Sequence, residues 1–591
     1  MRDLSYPLDS ALILRKKKRL KRNLLEKNKF VEKNVAILGG STTSELTNIL
    51  ELFLLNNGIR PTFYESEYNK FYEDALFATP ELDRFKPDII YVHTSVVNIT
   101  TFPALGDSTH TVDQLVAAEL AKFRSIWNAL QKYNCAIIQN NFDLPATRSL
   151  GNLECYTPKG KIHFINRLNA GFADAAQQTR NLYLNDINYL SSYLGLNTWF
   201  DTSLWHLSKY AVSLEAIPEL AFNISQIVNA ILGKTKKCLV LDLDNTCWGG
   251  VIGDDGLGGI QIGSETALAE AFSTFQSYAK SFKDRGITLA VCSKNTFATA
   301  QEGFDHPESV LKFSDFVVFK ANWDPKHLNI AQIAQEINIG TDSLVFIDDN
   351  PVEREIVSSQ LPSVSVPDVG VDIVNYIKHI DRNGFFETVS LSVDDMKRND
   401  YYKDNEKRQA EQATFISYND FLVSLDMTAI IKPFEDVYFD RITQLTNKTN
   451  QFNVTTKRYT VGEVSAAATD PNYVTLYGKL IDKHGDNGLV AVSMGHIDGT
   501  TCHIDLWLMS CRVLKRGLEQ AMLDKFVSMC RDKGVSQIIG RYFKTAKNDM
   551  VADLYGNMGF TLLEQARTES LWQLDIDQYE VQNKNIRITN E

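Results

Sequence analysis

The sequence predicts a multidomain α/β protein, and three observations predict it. The chain has 591 residues, too many for one core. In two separate regions short apolar runs alternate with helical patterns, which indicates parallel sheets. A third region strings apolar runs together across short turns before a helix, which indicates a mostly antiparallel α+β domain.

Bulk properties exclude several function classes. A net charge of −12 leaves the whole molecule without an electrostatic footprint for nucleic acid. No apolar run reaches the ~18–20 residues of a membrane span, so no membrane partner is expected. The eight cysteines form no C-x-x-C pair, which argues against structural zinc. Their scatter suggests reduced thiols and a cytoplasmic location.

Taken in order, residues 1–33 predict an N-terminal helix. Its basic run, Arg15-Lys16-Lys17-Lys18-Arg19-Leu20-Lys21-Arg22, is interleaved with Leu12, Leu24 and Leu25. That spacing fits a solvated helix packed on its own protein better than a nucleic-acid or membrane tail. Residues 34–230 form the first α/β domain. It opens with the strand Val35-Ala36-Ile37-Leu38 and a Gly39-Gly40-Ser41-Thr42 turn. Further strands are expected at 88–92 and 136–139. Residues 235–380 form the second, with strands at 237–241, 287–292 and 343–347. Residues 381–426 read as a helical connector, solvent-exposed over the charged stretch Leu391 to Gln412, which holds Lys397-Arg398 and Glu406-Lys407-Arg408. Residues 427–580 form the third domain, with a Gly-Asp-Asn-Gly turn at 485–488 between its first two long strands.

The strand ends of the second domain carry the chemistry. Asp242 and Asp244 follow the first strand, with Thr246 two positions on. Ser293, Lys294 and Asn295 follow the second, Lys326 opens a helix, and Asp348-Asp349 follow the third strand. Phosphoryl transfer needs such parts. One carboxylate attacks phosphorus, and a second moves the proton. A hard cation such as Mg²⁺ offsets the crowded negative charge. A hydroxyl and a lysine hold the phosphate oxygens.

This set resembles the four motifs of the haloacid dehalogenase (HAD) phosphatase superfamily. The resemblance implies that Asp242 is the nucleophile and a metal ligand. Asp244 would be the acid/base, with its carbonyl on the metal, and Asp348 and Asp349 would complete the site. Thr246, Ser293, Lys294, Asn295 and Lys326 would face the phosphoryl group of a phosphorylated small molecule. The intervals between motifs are too short for a large cap domain, and the Gly-rich stretch 249–256 makes only a small flap.

The other domains carry resemblances of their own. Arg512, Lys515, Arg516 and Gly517 lead into a helix, and Asn548 to Phe560 follows the N-x-x-x-A-x-x-L-Y-x-x-x-G-F pattern. Together they resemble a GNAT acyltransferase, which implies a loop for CoA or a phosphopantetheine arm. Lys515 stands where that family often has Gly, and Tyr555 reads as core packing. In the first domain Ser41, Asp201 and His206 resemble a remnant of an SGNH hydrolase triad. The Asp-to-His step is five residues instead of three, and the family's G-x-N-D block is missing, so a binding or structural version is expected, with His206 a buried or interface imidazole.

SGNH-like, HAD and GNAT-like segments in this order resemble the FkbH-like proteins of HAD subfamily IIIC. Asp242 to Gly250, Val345 to Arg354 and Lys448-Thr449-Asn450-Gln451-Phe452-Asn453 carry the match. The resemblance implies transfer of a glyceryl group from 1,3-bisphosphoglycerate to an acyl carrier protein through a cysteine thioester. The flap reads Gly250-Val251-Ile252-Gly253, without cysteine. Cys247 and Cys292 are the nearest thiols in sequence, and strand alternation turns Cys292 away from Ser293. Three readings stay open: a phosphohydrolase acting with or without glyceryl transfer, a GNAT-type acyltransferase, and a biosynthetic scaffold.

Overall fold

The computed structural model describes all residues except 1, 27–29, 78, 546, 590 and 591, and the side chains of 393, 403, 406, 409 and 511 are not described either. Of the residues singled out above, Glu406 and Cys511 therefore have no described side chain. The chain divides into two compact units, 1–231 with 460–462 and 232–459 with 463–591. Among the described residues, no helix is long and apolar enough to cross a membrane.

In the first unit β1 (Val31–Gly39), β2 (Ile59–Glu65), β3 (Ile89–His93), β4 (Ala136–Asn140) and β5 (Leu182–Asn185) form one sheet. The order is β2-β1-β3-β4-β5 and every pair is parallel. Val35 to Leu38 are buried throughout, as a central strand covered on both faces requires. The N-terminal helix Ser10–Leu25 buries Ile13, Leu20 and Leu24, while Lys17 and Lys21 pair with Glu45 and Glu51. The basic run thus lies on a helix that packs on its own unit.

The second unit holds two sheets. β6 (Cys238–Leu241), β7 (Thr288–Ser293), β8 (Val318–Ala321) and β9 (Leu344–Ile347) are parallel in the order β8-β7-β6-β9. Their side chains alternate between two cores. Leu239, Leu241 and Val291 enter one; Cys238, Val240, Ala290 and Cys292 enter the other. Each fully buried aliphatic chain of this kind contributes about 1.5–3 kcal/mol.

The second sheet comprises β10 (Met427–Lys432), β11 (Tyr473–Asp482), β12 (Gly485–Asp498), β13 (Thr501–Met509), β14 (Gln537–Phe543), β15 (Thr561–Gln565), β16 (Glu569–Asp575) and β17 (Ile586–Thr589). It is mostly antiparallel; only β13–β14 and β10–β17 run parallel. β17 lies past residue 580 and closes the edge beside β10.

Two expectations need correction here. The hairpin turn is Lys483-His484, since Asp482 pairs directly with Gly485. Residues 485–488 are the irregular opening of β12, where Gly488 supplies the positive φ. The connector is also not simply solvent-exposed. Its helices Val393–Met396 and Arg398–Gln412 bury Asp395, Asn399, Tyr401 and Arg408. Low apolar content misleads because buried polar groups do the docking. Asn399 donates to the Lys283 carbonyl (3.0 Å), and Arg408 forms a two-pronged pair with Asp482 (2.9 and 2.8 Å).

Arg516 reaches the same Asp482 carboxylate at 3.0 Å, so one buried anion serves two buried guanidiniums. Asp482→Ala would strand both cations. It is expected to lower stability by about 3–5 kcal/mol, read as an earlier midpoint in urea unfolding, with Asp482→Asn falling between.

Candidate functional site

The site assembles at the carboxyl ends of β6, β7 and β9. The chain leaves β6 through Asp242, whose amide still joins the sheet by donating to the Ile347 carbonyl at 2.9 Å. It then turns sharply at Asn245, a non-glycine residue at φ 54. An asparagine tolerates this left-handed conformation, and its side chain is used there: Oδ1 accepts from the Gly250 amide at 3.0 Å. Gln276 pins the loop by donating to the Cys247 carbonyl at 2.9 Å.

Asp242, Asp348 and Asp349 converge. Each offers an oxygen, and the three lie within 4.8 Å of one another. Lys326, buried at the start of the helix Lys326–Ile337, is set between two of them. Its Nζ is 2.6 Å from Asp348 Oδ2 and 3.0 Å from Asp242 Oδ1. The Asp242 contact is an ion pair off the line that a hydrogen bond needs, and Oδ1 has no hydrogen-bond partner. Three hard oxygens with one buried and orphaned fit a hard divalent cation of the Mg²⁺ type.

The electrostatics follow from crowding. Burial, then the neighbouring Asp242, push Asp348 and Asp349 above the ordinary carboxylate range. Burial works to lower the Lys326 pKa, but Asp242 and Asp348 outweigh it and hold the ammonium charged.

Asp244 lies beside this cluster and is held by both oxygens. Oδ1 accepts from Trp248 Nε1 (3.0 Å) and the Ile252 amide (3.1 Å), and Oδ2 accepts from Asn295 Nδ2 (2.8 Å). Burial nonetheless raises its pKa. The small flap thus takes part in the site: Ile252 opens the short helix Ile252–Asp255 and ties it to Asp244.

Not every residue expected to face the phosphoryl group is free to do so. Ser293, at the end of β7, and Lys326 are buried in the right region. Thr246 is fully buried, and its hydroxyl oxygen accepts from the Asp349 amide at 3.1 Å, so it fixes the Asp348-Asp349 loop. Asn295 holds Asp244. Lys294 turns to Glu353 at 2.6 Å and is part-exposed, because this carboxylate on the helix Pro351–Gln360 captures it.

Arg354 escaped the sequence reasoning. Its Nη1 donates to the carbonyls of Asp348 (2.8 Å), Asp349 (2.8 Å) and Gly370 (3.2 Å), and its Nη2 to Asp368 (2.9 Å). The signal was present as an Asn350-Pro351 helix start, which places Arg354 back over the loop that precedes it.

The thiols are core groups. Cys247 and Cys292 are fully buried, and burial raises both. Cys247 Sγ donates to the Asp242 carbonyl at 3.2 Å.

The other expected sites do not assemble in the same way. Ser41 is buried and its hydroxyl has no partner. Asp201 caps the helix Thr202–Ser208, accepting from the Ser203 and Leu204 amides. His206 sits on that helix and is exposed, so of the two expected places, buried or at an interface, burial is excluded. Among the described residues of this unit the buried imidazole is His93, set against Tyr91 and Asn140. In the 512–517 loop, Arg516 is consumed by Asp482, and Arg512 lies over the Tyr401 ring at 4.2 Å. Lys515 is exposed at φ 63, and Gly517 takes φ 84 at the helix start. Tyr555 is core packing, seated against Gly540.

Residues 34–229 match the FkbH N-terminal domain family. The chain is 32% identical to the N-terminal part of a Bacteroides fragilis protein containing a phosphatase domain complexed with Mg, covering 64% of this chain and 99% of that one, with a TM-score of 0.59. The ribosomal-protein-S18-alanine N-acetyltransferase of Escherichia coli (12% identity, 25% of this chain, 94% of that one) matches with a TM-score of 0.21, too low to bear on the argument. No curated protein matches.

Two predictions follow from the carboxylate cluster. A carboxylate with a raised folded-state pKa favours folding below its unfolded value of about 4 and loses that contribution as pH climbs through the raised value. A divalent cation relieves the resulting repulsion, so the rise in melting temperature on adding Mg²⁺ should grow from about pH 5 to pH 7; Asp349→Asn should flatten the trend. Arg354→Lys keeps the charge but cannot span two carbonyls. It should raise the Mg²⁺ concentration for half-maximal stabilisation by roughly 10–100-fold, read in a cation titration of the melting temperature.

Proposed function

Because the chain belongs to the FkbH family of phosphatase-domain proteins, we propose that its second unit is a magnesium-dependent phosphohydrolase working through an aspartyl phosphate on Asp242. The observation that carries this reading is the convergence of Asp242, Asp348 and Asp349 around Lys326. The Mg²⁺ bound by the Bacteroides relative supports the same donor set here. When bound, Mg²⁺ offsets the repulsion between carboxylates and phosphate.

The chain's own residues do the rest. An Asp242 carboxylate oxygen attacks phosphorus in line with the leaving oxygen, and the P–O bond to the leaving group breaks. Asp244, raised by burial, donates a proton to that oxygen. It then takes a proton from water, which attacks the aspartyl phosphate, releases inorganic phosphate and restores Asp242. Lys326 and Ser293 hold the non-bridging oxygens as charge shifts. Trp248, Asn295 and the Ile252 amide keep Asp244 aimed.

Glyceryl transfer from 1,3-bisphosphoglycerate to an acyl carrier protein is the finer form of this reading. It needs an accessible thiolate, and both candidate cysteines are buried with raised pKa values. Phosphate release is therefore the step that this site supports best.

Mg²⁺-dependent phosphate release from acetyl phosphate or 1,3-bisphosphoglycerate tests the proposal. Asp244→Asn should slow it by roughly 10²–10⁴-fold, and Asp242→Asn should remove it. Unchanged turnover in Asp242→Asn would overturn the assignment. Intact-mass spectrometry with 1,3-bisphosphoglycerate and a carrier protein separates the two forms: a glyceryl adduct on a cysteine supports transfer, and released phosphate without adduct supports hydrolysis alone.

A further inference from the structure

The stretch Lys448 to Asn453 is distinctive in the sequence, and the phosphatase chemistry makes no use of it. Its place in the third domain is specific. β13 and β14 pair in parallel from Thr501–Gln537 to Ile504–Gly540, but past that point they no longer pair with each other, while β13 continues beside β12 and β14 beside β16. Their diverging ends create a slot with main-chain donors and acceptors on both walls. Residues 452–454 lie in it. The Met509 amide donates to the Phe452 carbonyl (3.1 Å), and the Val454 amide donates to the Trp507 carbonyl (3.1 Å). From the other wall the Phe543 amide donates to the Val454 carbonyl (2.9 Å), and Asn548 Nδ2 donates to the Asn453 carbonyl (3.0 Å). Asn453, Val454 and Asn548 are fully buried.

The segment is anchored outside the slot as well. Lys237, at the foot of β6, donates to the Lys448 carbonyl at 3.2 Å, and Lys448 Nζ pairs with the buried Asp395 at 3.3 Å. Thr455 Oγ1 donates to the Asp505 carbonyl at 2.8 Å.

The acyltransferase resemblance implies a CoA or phosphopantetheine arm in this domain, and the residues do not fit one. An arm of that kind carries amides that pair with strands, as an added strand does, yet the slot's main chain is already paired. Its phosphates would also need cationic or amide partners. Arg516 is spent on Asp482 and Arg512 lies over the Tyr401 ring, which leaves the exposed Lys515 as the loop cation still facing solvent. The first turn of the helix Leu518–Asp532 carries Glu519, an acidic group whose Oε2 is buried without a partner and which offers a phosphate no positive charge.

We propose that residues 452–454 are a built-in strand filling the slot between β13 and β14, and that the third domain consequently holds no CoA or phosphopantetheine arm. The test is hydrogen exchange by mass spectrometry on the full chain, with and without millimolar CoA or phosphopantetheine. The amides of Val454, Met509 and Phe543 should be protected at least ~100-fold without ligand. Neither probe should change that protection or the melting temperature. Asn548→Ala should release protection at Val454 and Phe543 together. Saturable CoA binding by the wild-type chain, or exchange of Val454 as fast as an open loop, would overturn the proposal, and both are read without the variant.

Discussion

The second unit depends on one constraint: a lysine without solvent has to be neutralised, and so do the carboxylates around it. Lys326 answers both needs by sitting between Asp242 and Asp348. A buried charge left alone costs several kcal/mol, so the three groups hold one another in place. The consequence reaches back into the backbone. β6 and β9 must be neighbours, the helix at Lys326 must start beside them, and the loop after β9 must bring Asp348 inward. The parallel sheet exists as a scaffold for that triangle as much as for its own apolar cores.

Around the triangle, polar side chains act as fasteners. Thr246 secures the Asp349 amide, Arg354 the two aspartate carbonyls, and Asn295 with Trp248 the Asp244 carboxylate. None of these contacts moves electrons or protons. Each removes freedom from a group that has to be correctly aimed, which lowers the reorganisation left for the moment of reaction. The same device recurs at Asp482, where one carboxylate joins the connector helix to the 512–517 loop.

Much of this was legible in the sequence, and the exceptions have physical causes. Asp242, Asp348 and Lys326 were readable because strand ends in parallel sheets point their polar residues at one crevice. β2 was missed because Pro61 and an alternating pattern mark an edge strand, not a buried run. β5 and β8 each carry a polar residue, Asn185 and Lys320, which breaks the unbroken apolar run by which β6 and β9, of the same length, are read. The connector was misread because composition reports polarity and not pairing: Arg408 looks solvated until Asp482 is placed beside it. His206 was expected to be buried or at an interface by analogy; its helix Thr202–Ser208 buries none of its residues, so the imidazole stays exposed. Asn548 acts on main-chain carbonyls, which no side-chain pattern announces, and Arg354 is marked only indirectly, by the Asn350-Pro351 helix start that carries it back over the loop.

The strand at 452–454 has a consequence for how the chain is made. Asn453 and the Asn548 that holds it are 95 residues apart. The far wall of their slot does not exist until β14 has left the ribosome. Through that interval the segment has to wait, its main chain either hydrated or provisionally paired with β13 alone. Contacts of this sequence separation slow folding, because the chain must close a long loop before the contact rewards it. Completion of the third domain is accordingly a late event in biosynthesis, and a chain truncated before Phe543 would display an unfinished sheet edge.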